Sequence, residues 1–375
     1  MGPEKMQQRQ TFQEIMEILP LPPGKEGNQN DQPRFMSCRS AWLPGCDLAF
    51  LQGNGNVLGH GKPLPRTHTA VYGGHVYSQS ALAACLVRKD HESRDRDSKS
   101  QALHTIHGTF TLAGHADRPF IYTVSPLSTT KSFSTTLVTA AQPSAPSTNP
   151  DGDNFPIDDS TLPMGQSCFQ ALVSFKTAES TQRHEQEPSV QSRFKNILES
   201  RIPMDWPPAP PLDISGILDA IPMVSRMVGT FPALEMRKVD MTTYNKDKPL
   251  YERRELILYR LLAPLPKDAS PSEHALVHVY ECDRNGLLML ANHLGYGDRL
   301  GGVASLTWTY VIHGNIDESR IEFGEDEWWV QEACWPRAGS GRGIIMSKIW
   351  SPEGDHVATE YQDGVSRRWS KDGKL

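Results

Sequence analysis

Two histidines, His104 and His107, stand three residues apart in a run rich in Thr, Ile and Phe. The spacing resembles a metal pair, but in a strand it sends the two rings to opposite faces, so no metal site is expected there. The six cysteines, Cys38, Cys46, Cys85, Cys168, Cys282 and Cys334, form no Cys-x-x-Cys pair. Scattered in this way, they point to a reducing compartment rather than a disulfide or zinc frame. No Gly-x-Ser-x-Gly elbow occurs, which argues against a serine nucleophile of the α/β-hydrolase kind. Gly339-Ser340-Gly341-Arg342-Gly343 could cradle a phosphate, yet no helix follows it, so a hairpin loop is expected. Ser305, Thr307 and Thr309 alternate onto one face of a strand. Gly73-Gly74 open an apolar helical stretch, where exposed amides can receive negative charge and a ligand or backbone can come close.

The elements that must position these groups follow from periodicity. Residues 12–19 carry apolar side chains at helical spacing up to Pro20. Residues 21–34 and Gly53–Pro65 read as loops. A buried helix runs from Gly73 to about Lys89. Strand-like runs follow at Leu103–Leu112, Phe120–Leu127, Ser132–Ala141 and Gln166–Phe175. Residues 142–163, rich in Pro, Ser, Asn and Asp, read as a disordered insertion at a hairpin tip. Residues 203–212 are a stiff Pro-rich linker. The second half repeats the outline: a possible strand at Tyr251–Leu262, a long helix from Pro271 to His293 with Asn285-Gly286 in its middle, then strands at Val303–His313, Glu327–Cys334, Gly343–Trp350 and His356–Tyr361. A helix followed by antiparallel strands, twice over, is an α+β pattern.

The chain's 375 residues suit two domains at roughly 150 residues each. A formal net charge of −6 argues against a nucleic-acid partner, which needs a basic face. No apolar run is long enough to span a membrane, and no apolar signal region follows Met1. The final Gly373-Lys374-Leu375 is similar to a peroxisomal address, so the expected location is cytoplasmic or peroxisomal.

Several short motifs, taken in order, resemble the type II acyl-CoA thioesterases. Gly73-Gly74-His75-Val76-Tyr77-Ser78-Gln79-Ser80-Ala81-Leu82 is similar to the opening of that family's first helix. Leu103-His104-Thr105-Ile106-His107-Gly108-Thr109-Phe110, Gly114 and Pro119-Phe120-Ile121-Tyr122 resemble the next two strands, and Lys131-Ser132-Phe133-Ser134 the turn after them. Ser305-Leu306 and Gln362-Asp363-Gly364 are similar to the second-half signature. The likeness spans roughly residues 70–176 and 250–369. It implies a double hotdog: two fused repeats, each a long helix wrapped by an antiparallel sheet. The boundaries expected are an N-terminal helix and loop (1–34), a first hotdog (35–176), a linker (177–245) and a second hotdog (246–375).

The resemblance further implies hydrolysis of acyl-CoA thioesters by an activated water, with no metal, no cofactor and no covalent intermediate. Its catalytic Asp, Ser/Thr and Gln fall on Asp283, Ser305 and Gln362. A carboxylate can deprotonate water, and a hydroxyl and a carboxamide can hold that water in line. Amides near Gly74-His75 are expected at the oxyanion. The chain departs from the family after the Ser-Leu pair, where Asp-His usually stands and Thr307 and Trp308 are found. These two are expected to shape the substrate site or alter water activation. Two other classes compete. A hotdog dehydratase or hydratase needs a His-Asp pair, and a non-catalytic acyl-binding protein would release no thiol. A substrate from specialised metabolism and a homo-oligomer are both compatible with these readings.

Overall fold

A computed structural model describes residues 9–22, 32–48, 70–94, 100–150, 152–180 and 183–368. The loop expected at Gly53–Pro65 and the final Gly-Lys-Leu lie outside these residues. Among them, no helix is long and apolar enough to cross a membrane.

Among the described residues, twelve strands make one antiparallel sheet. They are β1 (Ile18–Leu21), β2 (Arg34–Ser37), β3 (Gln101–Phe110), β4 (Ile121–Thr129), β5 (Phe133–Pro143), β6 (Met164–Thr177), β7 (Leu234–Lys238), β8 (Glu255–Leu261), β9 (Leu300–Ile312), β10 (Trp329–Gly339), β11 (Arg342–Trp350) and β12 (His356–Arg368). Their spatial order is β1-β2-β4-β5-β6-β3-β9-β12-β11-β10-β8-β7. Read outward from the β3–β9 junction, the two sides match strand for strand: β3 with β9, β6 with β12, β5 with β11, β4 with β10, β2 with β8 and β1 with β7. That is the order expected of two fused copies of one unit.

The helices include α1 (Phe12–Met16), α2 (Gly73–Arg94), α3 (Pro271–Glu281) and α4 (Gly286–His293). Helix α2 packs on β3 to β6 and alongside α3, while α4 packs on β9, β11 and β12. The strands alternate as a half-covered sheet should. Val138, Ala140, Tyr310, Ile345 and Ile349 point into the core.

Several expectations are corrected. The first helix stops at Met16, and Pro20 lies in β1. Proline is tolerated there because β1 is the outermost strand. The helix expected over Pro271–His293 breaks between Glu281 and Gly286. Asn285 has φ 62° at the break, a left-handed conformation that Asn tolerates better than most residues. The insertion at 142–163 is built rather than disordered, apart from residue 151, which is not described. Asp159 is fully buried and accepts from Ser147 Oγ and from Thr148 N and Oγ1, while Phe155 packs with Met36 and Ile121. The linker also belongs to the fold, since its β7 pairs with β8 and its Trp206 packs in a core cluster with Leu256 and Trp350.

The β3–β9 junction places Gly108 opposite Trp308. A Cβ on Gly108 would meet Phe169 Cζ at 2.5 Å and Tyr77 Cε2 at 2.8 Å. Both rings are fully buried. Overpacking of this kind costs about 1–3 kcal/mol. Gly108→Ala is therefore expected to destabilise the protein by that amount, read as a lower urea midpoint at unchanged m-value.

Candidate active site

The helix break creates the site. Asp283 sits in it, between the end of α3 and the start of α4. The carbonyls that α3 would otherwise pass to the next turn find other partners. Tyr72 Oη donates to the Tyr280 and Glu281 carbonyls at 2.5 and 3.2 Å. Arg284 Nη1 and Nη2 and Asn285 Nδ2 donate to the Pro211 and Pro210 carbonyls, which fixes the Pro-rich segment beside the break.

Three side chains distant in sequence meet at Asp283. Gln362 Nε2 donates to Asp283 Oδ1 at 2.7 Å and to Ser305 Oγ at 2.8 Å. Ser305 Oγ donates to the same Oδ1 at 3.3 Å. On the other carboxylate oxygen, the Gly74 amide donates to Oδ2 at 3.0 Å. Asp283 therefore caps the N-terminus of α2 from the opposite half of the molecule. Gly73 is needed as well, since a Cβ there would stand 2.8 Å from Asp283 Oδ2.

Ser305 reaches this cluster through a bulge. Asp363 pairs with Thr307 and Gly364 with Ser305, so β9 carries one extra residue against β12. Simple alternation put Ser305, Thr307 and Thr309 on one face. The bulge instead turns Ser305 toward Asp283 and leaves Thr307 exposed.

Asp283 and Ser305 lie on the wall of a cavity of about 330 Å³. The rest of the wall is mainly apolar and comes from both halves, with Val76, Phe110 and Phe169 from the first, Leu287 from the second, and Leu212 and Ile214 from the linker. Burial raises the Asp283 pKa, and hydrogen bonds from Gln362, Gly74 and Ser305 oppose the rise, leaving it at about 6. Such a group is ionised at neutral pH yet basic enough to take a proton from water.

The remaining expected site residues separate from this group. The Gly74 amide serves Asp283, and the His75 amide donates to the Tyr72 carbonyl at 3.2 Å, so neither stands open to an oxyanion. The His75 ring is fully buried and held neutral, its pKa lowered to about 4 by burial. Trp308 is buried and stacks on Tyr77 at 4.3 Å. Neither Thr307 nor Trp308 lines the cavity. A better-placed donor set lies at the start of α4, where Gly286, Leu287 and Leu288 face the cavity and Asn285 makes no side-chain cap. The first amides of a helix have no partner within it. In the sequence, the signal for this feature was the Asn285-Gly286 pair, which marks a turn and therefore a helix start.

Two outcomes follow. Ionising a buried Asp283 opposes folding. Because its folded pKa lies above the ordinary value of 3.8, wild-type stability declines as pH rises from about 4 through about 6. Asp283→Asn is therefore expected to gain thermal stability over wild type as pH increases across that window, by an amount on the order of 1–3 kcal/mol. Trp308→Phe is expected to lose about 1–3 kcal/mol through imperfect refilling of its site. Its preference among acyl chain lengths should match wild type, because the ring does not line the cavity.

Two family models match the chain. Residues 62–175 match the acyl-CoA thioesterase N-terminal domain, and residues 176–366 match the acyl-CoA thioesterase C-terminal domain. The chain is 23% identical to human acyl-coenzyme A thioesterase 8 over 322 residues, 79% of this chain and 80% of that protein. The mouse protein of the same name is 22% identical, with 80% and 81% covered. An acyl-CoA thioesterase II from Mycobacterium marinum superposes with a TM-score of 0.56 at 21% identity, covering 96% of this chain and 98% of that one. A hot dog fold protein from Alicyclobacillus acidocaldarius gives 0.53 at 14% identity, covering 95% and 97%. The chain is a double hotdog and belongs to the acyl-CoA thioesterase family, enzymes that hydrolyse acyl-CoA thioesters.

Proposed function

We propose that Asp283, Ser305 and Gln362 form the hydrolytic centre and that water attacks the thioester directly. The supporting observation is their convergence: three side chains from a helix break, a bulged strand and the last strand lie within 2.7–3.3 Å of one another, and two of them, Asp283 and Ser305, line an apolar cavity. The acyl chain lies along the apolar wall, and the thioester carbon faces Asp283. Ser305 and Gln362 orient the water while Asp283 takes one of its protons. The water oxygen bonds to the acyl carbon, and the C–S bond then breaks. The proton held by Asp283 passes to the leaving thiolate, giving free acid and CoA thiol. The open amides at the start of α4 receive the charge that develops on the carbonyl oxygen.

The competing hydratase reading needs a histidine facing the acyl group. The buried His75, His274 and His278 do not line the cavity, so nothing at the site favours it.

Thiol release from acyl-CoAs of graded length tests the proposal. Wild type is expected to release thiol, and Asp283→Asn to lower kcat by roughly 10²–10⁴-fold. An Asp283→Asn enzyme with wild-type kcat would move the centre elsewhere, and a wild type that binds acyl-CoA without releasing thiol would make this a binding protein.

A further inference from the structure

Beneath the helix break, the inner face of the sheet turns polar. Gln331 on β10, Ser347 on β11 and Glu360 on β12 all point inward and are buried. Ser347 pairs directly with Glu360, and Glu360 with Tyr310. Their neighbours are Trp329, Trp335, Ile345 and Ile349, all buried. Polar groups in such surroundings carry a desolvation cost and call for a reason.

The reason for Gln331 is visible in its contacts. Its Nε2 donates to the Cys282 carbonyl at 3.0 Å and lies 3.3 Å from Ser347 Oγ. In an unbroken helix the Cys282 carbonyl would accept from the amide four residues on. The left-handed turn at Asn285 ends that pattern. Tyr72 holds the two preceding carbonyls from the side of the first half. Gln331 holds the third from the side of the second-half sheet, and this carbonyl belongs to the peptide that joins Cys282 to Asp283.

We infer that Gln331 is a positioning residue of the hydrolytic centre: by fixing the Cys282–Asp283 peptide it sets where the Asp283 carboxylate meets Gln362, Ser305 and the Gly74 amide. This inference rests on the hydrolase reading given above. Gln331 touches no substrate and acts through Asp283. Its removal loosens the carboxylate rather than the acyl cavity, so turnover suffers and binding does not.

The test uses the full chain and thiol release from acyl-CoA, with a thermal melt of each variant. Gln331→Met keeps the length of the side chain and loses the donor. It is expected to lower kcat roughly 10- to 100-fold while KM stays within about twofold of wild type. Its acid limb should also move upward from about 6, because the hydrogen bonds that favour the charged Asp283 are loosened. Gln331→Glu should keep turnover near wild type, because a carboxyl buried in this place beside Glu360, whose own pKa burial pushes well up, stays protonated and can donate to the carbonyl. Wild-type kcat and pH profile in a folded Gln331→Met enzyme would overturn the inference, as would a loss confined to KM. If Gln331→Met does not fold, Gln331→Asn decides, since it keeps the amide but falls one methylene short of the Cys282 carbonyl. A lowered kcat at unchanged KM supports the inference, and a wild-type kcat overturns it. Failure of the underlying hydrolase reading is told apart because it appears in the wild type and in Asp283→Asn, before any Gln331 variant is compared.

Discussion

The carboxylate of Asp283 is shared between the two halves of the molecule. One of its oxygens caps α2 of the first half, and the other binds Gln362 and Ser305 of the second. Charge-assisted hydrogen bonds of this kind are worth about 1.5–3 kcal/mol each, and here they work against the cost of burying the charge. The balance leaves a carboxylate that is held in place and still basic. The same contact joins the two halves, so the arrangement that holds the carboxylate also shapes the cavity beside it.

The two repeats are alike in strand order and unlike at their helices. Helix α2 runs unbroken from Gly73 to Arg94 and has its N-terminus capped from the other half. Helix α3 caps itself, with Ser270 and Glu273 exchanging hydrogen bonds with each other's backbone amides. The break after Glu281 then frees a run of carbonyls and amides. The carbonyls are taken up by Tyr72 and Gln331, and the amides at the start of α4 face the cavity. The proposed centre is therefore seated where the second helix fails to continue.

Much of this architecture is written in local patterns. Alternation in Ser132–Ala141 and His356–Tyr361 marks strands, and Ser270-Pro271 marks a helix start, because each signal involves neighbours in sequence. The edge strands β1 and β7 escaped notice. They are four and five residues long and owe their form to the strands beside them. The bulge that turns Ser305 depends on its pairing with Gly364, and the order of residues 142–163 depends on the burial of Asp159, neither of which is a local property. Asp283, Ser305 and Gln362 lie up to 79 positions apart, so no spacing rule connects them, and only the family likeness brought them together before the structure did.

The self-capped start of α3 has a consequence for how the chain can change over time. A mirror-image site at the other end of the helix pair would need a break in α2 and an uncapped α3, and neither is present. Among the described residues the two repeats thus carry one proposed centre, and the first half serves mostly to pack and to wall the cavity. Such a half tolerates insertion and drift wherever the wall is not disturbed. The structured excursion at 142–163, tied down by its own buried aspartate, reads as one product of that freedom.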